Sequence, residues 1–209
     1  MVMKSSTIAV FPLKIVLFPD SIIPLHIFEE RYLRMIQDFT ENKIGFGINL
    51  SVSSKNYNTG CEAKRLDVIK KYDDGRLDII IYGGRRYEIN NLHESDYGYL
   101  IGHPNFFEDV SELYDRITLM NCAKTYNDIV HLLKNESIKE IRLSDIKTKK
   151  PSFLLAQKTG LSALQKQQIL ELKSENERLM SILLHLQNVL PALKQAEAVN
   201  RIIKNDGYF

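Results

Sequence analysis

Three aspartates, Asp73, Asp74 and Asp78, stand around Gly75 and come nearest in this sequence to the spacing of a cation site. Clustered carboxylate oxygens are the ligands that hard cations such as Ca²⁺ prefer. Asp and Gly are also the residues that a tight turn needs, because both tolerate its left-handed backbone conformations. Since apolar strand-like runs flank the aspartates on both sides, we interpret the segment as a hairpin turn and predict no metal site.

The other residues that could carry chemistry form no recognisable set. No two of the five histidines have the i, i+4 spacing that lets a helix hold a metal, and no Gly-Lys pair exists to build a phosphate-binding loop. Gly45-Phe46-Gly47 begins like a dinucleotide fingerprint but lacks the third glycine. A Gly-x-Ser-x-Gly elbow is also missing. We therefore predict no catalytic residue, no cofactor and no enzymatic activity, although a hydrolase whose residues converge only in space stays an open alternative.

The net charge and the cysteine content indicate which classes of partner and which compartment to expect. The formal net charge is +2, from 28 basic and 26 acidic residues, and this near-neutrality argues against a dedicated nucleic-acid binder. Arg85-Arg86 could hold a phosphate, but a solvated strand end is the preferred interpretation. The two cysteines are far apart, and no apolar run is long enough to cross a bilayer. We expect a cytoplasmic protein without a membrane partner.

The first half of the chain reads as β-structure with one helix. Short runs rich in Ile, Val and Tyr alternate with turn signals, among them Asp74-Gly75 and Gly83-Gly84. Helical spacing appears once in this half, at residues 29–39. The predicted strands are residues 8–13, 22–28, 44–52, 62–72, 77–82, 86–92 and 97–103.

The second half reads as helical. Four pairs have the capping-box spacing, and the first is expected to open a helix of about twenty residues that carries Leu113, Ile117 and Met120. The pairs are Asp109/Glu112, Ser137/Glu140, Ser162/Gln165 and Ser174/Glu177. Pro151 and Gly160 bound one short helix, and Pro191 predicts a break or kink in the last. We predict an α+β protein with a β-rich subdomain at 1–105 and a helical bundle at 106–209.

Proline-punctuated apolar motifs near the amino terminus carry a family resemblance. They are FPL at 11–13, VLFP at 16–19, IPLHIFE at 23–29 and RY at 31–32. Matching motifs follow at GFG 45–47, GC 60–61, GRRYEI 84–89, FLLA 153–156 and QKQQILE 165–171. Together these motifs resemble the amino-terminal, substrate-binding domain of Lon protease in its free-standing form. Asp20 departs from the family's usual Gly, but Asp tolerates the left-handed region that this turn needs.

The resemblance implies a partly closed, barrel-like sheet of about six strands with one helix, followed by a helical bundle. It also implies a module that engages polypeptide substrates and lacks the ATPase and peptidase modules of the full protease. The family's β region is similar to the PUA-like folds that bind RNA. An RNA-binding accessory role is therefore the alternative, and the balanced charge of the first 105 residues counts against it.

The proline-bearing segment is the expected binding surface. Strands that contain proline leave backbone acceptors and apolar side chains at an edge, and this predicts polypeptide contacts at Leu17, Phe18, Ile22 and Ile23. The competing interpretation is that these four residues fill the core. The expected partner is an unfolded or specific polypeptide. Beyond Pro191 the tail, which ends in Tyr208 and Phe209, has an apolar face that covers either its own bundle or a second copy, so a homodimer is left open.

Overall fold

The computed structural model describes residues 7–41, 44–53 and 55–205, with side chains given as far as residue 200. These residues form two units. Unit 1 comprises Met1–Glu108 together with Ser162–Glu171, and unit 2 comprises Asp109–Leu161 together with Leu172–Phe209. The α+β class is as the sequence predicts. Tyr208 and Phe209, the apolar end of the expected tail, lie outside the described residues.

Unit 1 is built on one mixed sheet. Its strands are β1 (Ile8–Leu13), β2 (Ile22–Ile27), β3 (Gly45–Val52), β4 (Lys55–Lys71), β5 (Leu77–Glu88), β6 (His93–Glu94), β7 (Leu100–Gly102) and β8 (Asn105–Phe107). The order is β2-β5-β4-β3-β1-β7-β6, with β8 also paired to β5. Among the strands of the described residues, β1 and β3 form the one parallel pair. Within the described residues the sheet has eight strands. Its two end strands, β2 and β6, do not pair with each other, so the sheet is not closed into a barrel.

Two helices complete unit 1: α1 (Glu30–Glu41) and α4 (Ala163–Glu171). The attachment of α4 to the sheet is polar, because Gln167 Nε2 donates to the Thr59 carbonyl at 3.0 Å and Arg86 Nη1 donates to the Leu170 carbonyl at 2.8 Å. Arg86 is buried and its guanidinium lies over the Phe107 ring. The interpretation of Arg85-Arg86 as a solvated strand end is thus wrong for Arg86, which is a packing residue.

Tyr87 belongs to a buried cluster in the core of unit 1 with Ile8, Val10 and Ile89. Its ring lies where side chains at Gly47 and Gly60 would stand, since a Cβ on either glycine would come within 2.8 Å of it. Its hydroxyl donates to Asn49 Oδ1, and Asn49 Nδ2 donates in turn to the Tyr57 carbonyl at 2.7 Å. These two glycines are required by close packing around a buried ring.

Gly83-Gly84 is not a turn, and that prediction is wrong. Strand β5 continues through both glycines. A Cβ on Gly84 would stand 2.6 Å from Cγ of Glu62 on β4, and a Cβ on Gly83 would stand 1.9 Å from the Phe18 carbonyl oxygen, in the segment that leads into β2. The pair is therefore glycine because neighbouring chain segments approach it closely.

Unit 2 is helical. Its elements are α2 (Arg116–Leu133), a 3₁₀ turn (Leu143–Asp145), α3 (Pro151–Lys158) and α5 (Glu175–Asn205). Arg178, fully buried, binds Asp109 through Nη2 at 2.8 Å and Glu175 at 2.6 Å. Glu175 also accepts a hydrogen bond from the backbone of Ser152 at the start of α3. The buried charge is thus fully partnered, which is the condition under which a core tolerates it.

The capping predictions have mixed outcomes. Helix α2 begins six residues later than predicted, with Asp115 as its N-cap, so Asp109/Glu112 is not its capping box. No helix opens at Ser137. Ser162 and Gln165 do form a reciprocal box at the start of α4, and the Ser174 hydroxyl accepts from the Glu177 amide at the start of α5.

Pro191 does not end the last helix. α5 runs continuously from Glu175 to Asn205 with Pro191 inside it. Both Pro191 and Gln187, whose carbonyl loses its helical partner, are exposed, so water can satisfy that carbonyl. Within the described residues, no helix combines the length and the apolar character that crossing a membrane requires.

Candidate functional site

The four residues predicted to bind polypeptide fall into two environments. Leu17 and Phe18 are 0% and 1% exposed, so they fill the core of unit 1. Ile22 is 56% exposed, and Ile23 is half-buried on the opposite face of β2. Ile22 is therefore the candidate that the structure presents to solvent.

The turn before β2 sets the position of that strand. Ser21 donates from its amide to the Phe18 carbonyl at 3.1 Å, with Pro19 and Asp20 between them and Asp20 at φ 60°. Proline followed by a left-handed residue is the pattern of a type II turn. The family's usual Gly at position 20 is thus replaced by an Asp that adopts the expected conformation.

Backbone hydrogen bonds then hold the turn against β5. The Asp20 amide donates to the Gly83 carbonyl at 3.1 Å, and the Gly83 amide donates to the Ser21 carbonyl at 2.9 Å. A Cβ on Gly83 would stand 1.9 Å from the Phe18 carbonyl oxygen, so only glycine permits this approach. The register of β2 on β5 follows from this anchor.

The prolines occupy positions where a missing N–H is harmless. Pro12 lies on β1 beyond Val10, where the ladder to β7 ends. Pro24 lies on β2, which is at one end of the strand order and, among the strands that the structure describes, pairs with β5 alone. Because Pro24 cannot donate, its backbone faces away from β5, and Ile22 and His26 share that orientation by alternation. Among the described residues, no backbone hydrogen bond from this open edge of β2 is present.

Apolar side chains line the sheet face next to this edge. In the β2–β5 register, Ile22 lies opposite Tyr82 and Pro24 lies opposite Ile80. Ile22 and Pro24 are exposed, whereas Ile80 and Tyr82 are half-buried. We call this face the β2 surface, defined by Ile22, Pro24, His26, Ile80 and Tyr82.

One end of the β2 surface carries a polar cluster. His26 Nδ1 lies 2.6 Å from Asp78 Oδ1, and the Tyr72 hydroxyl donates to Asp78 Oδ2 at 2.8 Å. The hydrogen bond from His26, followed by that from Tyr72, lowers the pKa of the Asp78 carboxyl below its usual value. Asp78 therefore accepts one hydrogen bond within the hairpin, from Tyr72, and lies within hydrogen-bond distance of His26 on β2.

At the Tyr82 end of the β2 surface, the charged side chains are also paired with each other. The Arg65 guanidinium binds Asp67 at 2.8 Å and lies over the Tyr82 ring, whose hydroxyl donates to Asp67 at 2.9 Å. The Arg65 hydrogen bond lowers the pKa of Asp67, and the bond to Asp67 raises the pKa of Tyr82. With its cation already paired, this flank offers little to a phosphate backbone.

An open groove of about 740 Å³ lies where the chain leaves β2 and enters α1. Its lining is Glu29, Glu30, Arg31, Arg34, Glu94, Asp96, Tyr97 and Gly98. Four carboxylates against two guanidiniums make the groove acidic on balance, which is unfavourable for nucleic acid. Within residues 7–41, 44–53 and 55–205, no three His, Cys, Asp or Glu side chains are grouped to hold a metal.

Sequence reasoning missed Pro24 as a surface residue and missed Ile80 altogether. Ile80 is the central residue of three consecutive isoleucines, and such a run does not reveal which side chains face outward. The proline at position 24 was the available signal, because it marks an edge and thereby fixes which residues of β2 alternate outward.

Comparison with known proteins gives matches over most of the chain. A family model described as the ATP-dependent protease La (LON) substrate-binding domain matches residues 7–188. The Lon N-terminal domain protein from Xanthomonas campestris is 22% identical with a TM-score of 0.60, and the match covers 85% of this chain and 96% of that one.

A second solved structure, the N-terminal domain of the Mycobacterium avium complex Lon protease, is 18% identical. Its TM-score is 0.64, and the match covers 87% of this chain and 98% of that one. At these identities the two likenesses establish a shared fold. No curated protein matches the chain in sequence.

Proposed function

The chain belongs to the family of the Lon substrate-binding domain, and from this premise we propose that it is a non-enzymatic module that binds unfolded or extended polypeptide. The contact surface in this proposal is the β2 surface together with the adjoining open edge of β2. The proposed setting is the cytoplasm, in keeping with the free thiols of Cys61 and Cys122.

The observation that carries the proposal is the coincidence of an open strand edge with exposed apolar side chains on the same strand. The edge carbonyls of Ile22, Pro24 and His26 can accept hydrogen bonds, and the amides of Ile22 and His26 can donate them. An extended segment that adds a strand to a sheet uses such an edge for affinity and the neighbouring side chains for selection.

The side chains beside the edge suit an apolar ligand. Ile22 and Pro24 are exposed, and Phe28 lies just beyond the strand, with its ring stacked 6.0 Å from that of His26. Pro24 lacks the N–H that would continue a full ladder, so added strands are held by a shorter set of bonds. This favours reversible binding of varied segments over permanent pairing.

RNA binding is the alternative, and the pairing of surface cations weighs against it. Arg85 binds Glu62, Lys64 binds Asp20 and Arg76 binds Asp74, each at 2.8 Å or less between charged atoms. Phosphate contacts would have to displace these carboxylates, and binding by phosphate neutralisation falls steeply with salt. Salt dependence therefore separates the two functions.

The test is fluorescence anisotropy of a labelled unfolded polypeptide and of a labelled single-stranded RNA, each titrated with the full chain across a range of salt. The proposal expects saturable polypeptide binding that changes little with salt, because apolar contact and backbone hydrogen bonds carry it. Saturable RNA binding that weakens with salt, without polypeptide binding, would overturn it.

A further inference from the structure

Helix α2 of unit 2 carries two apolar faces. One face is buried within the unit; its residues are Leu119, Cys122, Ala123, Tyr126, Ile129 and Val130. The other is open, with Ile117 69% and Met120 54% exposed, three residues apart and therefore on one side of the helix. Leu113, which precedes the helix, is 95% exposed. The sequence predicts a helix that carries all three residues, whereas in the structure Leu113 lies before the N-cap Asp115 and only Ile117 and Met120 are helical.

A pocket of about 110 Å³ opens on the same region. It lies between the start of α2 and the 3₁₀ turn, and its lining is Tyr114, Arg116, Leu119, Met120, Leu143 and Ile146. Met120 thus belongs both to the open face and to the pocket wall, so the two features are continuous. An apolar cavity of about 150 Å³ can take up benzene, and a pocket of this size therefore fits one aliphatic side chain.

The region also holds the side chain that such a pocket would accept. Leu113 projects almost entirely into solvent, on the segment whose carbonyl is held by Asn176 Nδ2 at 3.1 Å. That backbone bond fixes the protruding leucine at a defined place beside α2. A fixed apolar side chain, and a pocket whose wall includes Leu119, Met120 and Leu143, are on one surface the two halves of a self-complementary contact.

The charged residues at the edge of the pocket also suit contact between two copies of the chain. Arg116, exposed, borders the pocket, and two exposed carboxylates lie within four residues of it. Glu112 accepts hydrogen bonds from Ser174 and Asn176, and Asp115 caps α2, so both negative charges are held at fixed places. When two copies meet about a two-fold axis, the cation of each can face the carboxylates of the other. A surface with one sign of charge would instead repel its own copy.

We propose that this face of unit 2 is a homodimer interface, in which Leu113 of each copy enters the pocket beside Met120 and Leu143 of the other. The arrangement is isologous: each copy supplies one knob and one hole, so the contact closes at two copies. The inference is independent of polypeptide binding, because the β2 surface lies in unit 1. It also differs from a contact through the tail beyond Pro191.

The first experiment measures mass by sedimentation velocity over a wide concentration range. The wild-type chain is expected to dimerise, and Leu113→Glu is expected to raise the dissociation constant at least about tenfold, as for loss of a central hot spot. Leu184→Glu is the matched control, since Leu184 is an exposed apolar residue of α5 that lies before Pro191 and outside the pocket lining. Leu113 is so exposed that the variant should keep the wild-type circular dichroism spectrum and melting temperature.

The second experiment tests the geometry. The variants Leu113→Cys and Leu143→Cys are oxidised separately and as an equal mixture; the native Cys61 and Cys122 are buried and do not interfere. The mixture is expected to give a disulfide between residues 113 and 143 of different copies, identified by mass spectrometry.

Three results would overturn the proposal. The first is a wild-type chain that stays monomeric at every concentration, and the second is a dimer that persists unchanged in Leu113→Glu. The third is a monomer in which Leu113→Glu weakens polypeptide binding, because this face would then belong to a polypeptide site.

Discussion

Gly83 and Phe18 are in backbone contact: a Cβ on Gly83 would stand 1.9 Å from the Phe18 carbonyl oxygen. This contact joins the middle of β5 to the turn that leads into β2. The two hydrogen bonds between Gly83 and the Asp20–Ser21 segment reinforce it. The exposure of Ile22 at the surface therefore depends on a glycine that lies about sixty residues further along the chain.

Gly83→Ala is expected to destabilise the protein by about 3 kcal/mol, because the new methyl group meets backbone, which cannot rotate away. Urea unfolding followed by circular dichroism gives the free energy of unfolding. Gly45→Ala is the control, since the nearest atom to its Cβ is Ile8 Cγ1 at 3.7 Å, an ordinary contact. Equal stability of the two variants would contradict the close approach.

Tyr87→Phe is expected to cost about 1–3 kcal/mol, because it leaves the buried Oδ1 of Asn49 without its donor. The comparison is Tyr97→Phe, because Tyr97 is an exposed residue. Its free energy of unfolding should change by no more than about 0.5 kcal/mol. Thermal or urea unfolding of both variants provides the measurement. If Tyr87→Phe is as stable as wild type, the hydroxyl of Tyr87 is not needed to satisfy Asn49.

Arg178→Met is expected to destabilise unit 2 by about 3–5 kcal/mol. The substitution leaves the buried carboxylate of Glu175 without its cation, whereas Asp109 keeps the Lys150 ammonium at 3.1 Å, and an uncompensated buried charge is the costly outcome. Lys124→Met, at an exposed position on the same unit, serves as the control and should change stability little. A loss below about 1 kcal/mol in Arg178→Met would show that the network contributes little.

The Asp78 carboxyl is expected to titrate below the ordinary aspartate value of 3.8, because His26 and Tyr72 hydrogen-bond to its charged form. A pKa lowered in the folded state contributes stability above the pKa of the unfolded state, and that contribution is lost as pH falls through the folded value. The stability difference between wild type and Asp78→Asn should therefore be present at neutral pH and shrink below about pH 4.

Carboxyl chemical shifts followed by NMR check this prediction directly. Removing either donor, in His26→Ala or Tyr72→Phe, should raise the pKa of Asp78. A pKa that does not move in either variant would show that these hydrogen bonds do not form in solution.

Local signals in the sequence predicted local structure well. Strand β1 runs over the predicted residues 8–13, and Asp20 has the left-handed backbone that its place after Pro19 requires. The Asp74-Gly75 hairpin is present, with Gly75 at φ 89°. Each of these features depends on a few adjacent residues, which is why a turn or strand pattern was sufficient.

Features that depend on distant contacts could not be predicted. Gly83-Gly84 has the composition of a turn, yet the glycines are there because Phe18 and Glu62 approach them. Leu113, Ile117 and Met120 have helical spacing, but spacing does not say whether another element covers them. Leu17, Phe18 and Ile22 are equally apolar, and only the pairing of β2 with β5 separates the buried pair from the exposed residue.

The central claim is that polypeptide binds at β2. The most direct measurement compares the affinity of an unfolded polypeptide for two variants, Ile22→Glu and Leu164→Glu. Both positions are exposed apolar residues of unit 1, one on β2 and the other on α4. By calorimetry, Ile22→Glu is expected to weaken binding at least about tenfold while Leu164→Glu binds as the wild type does. Equal affinity of the two variants, or no binding by the folded wild-type chain, would contradict the account.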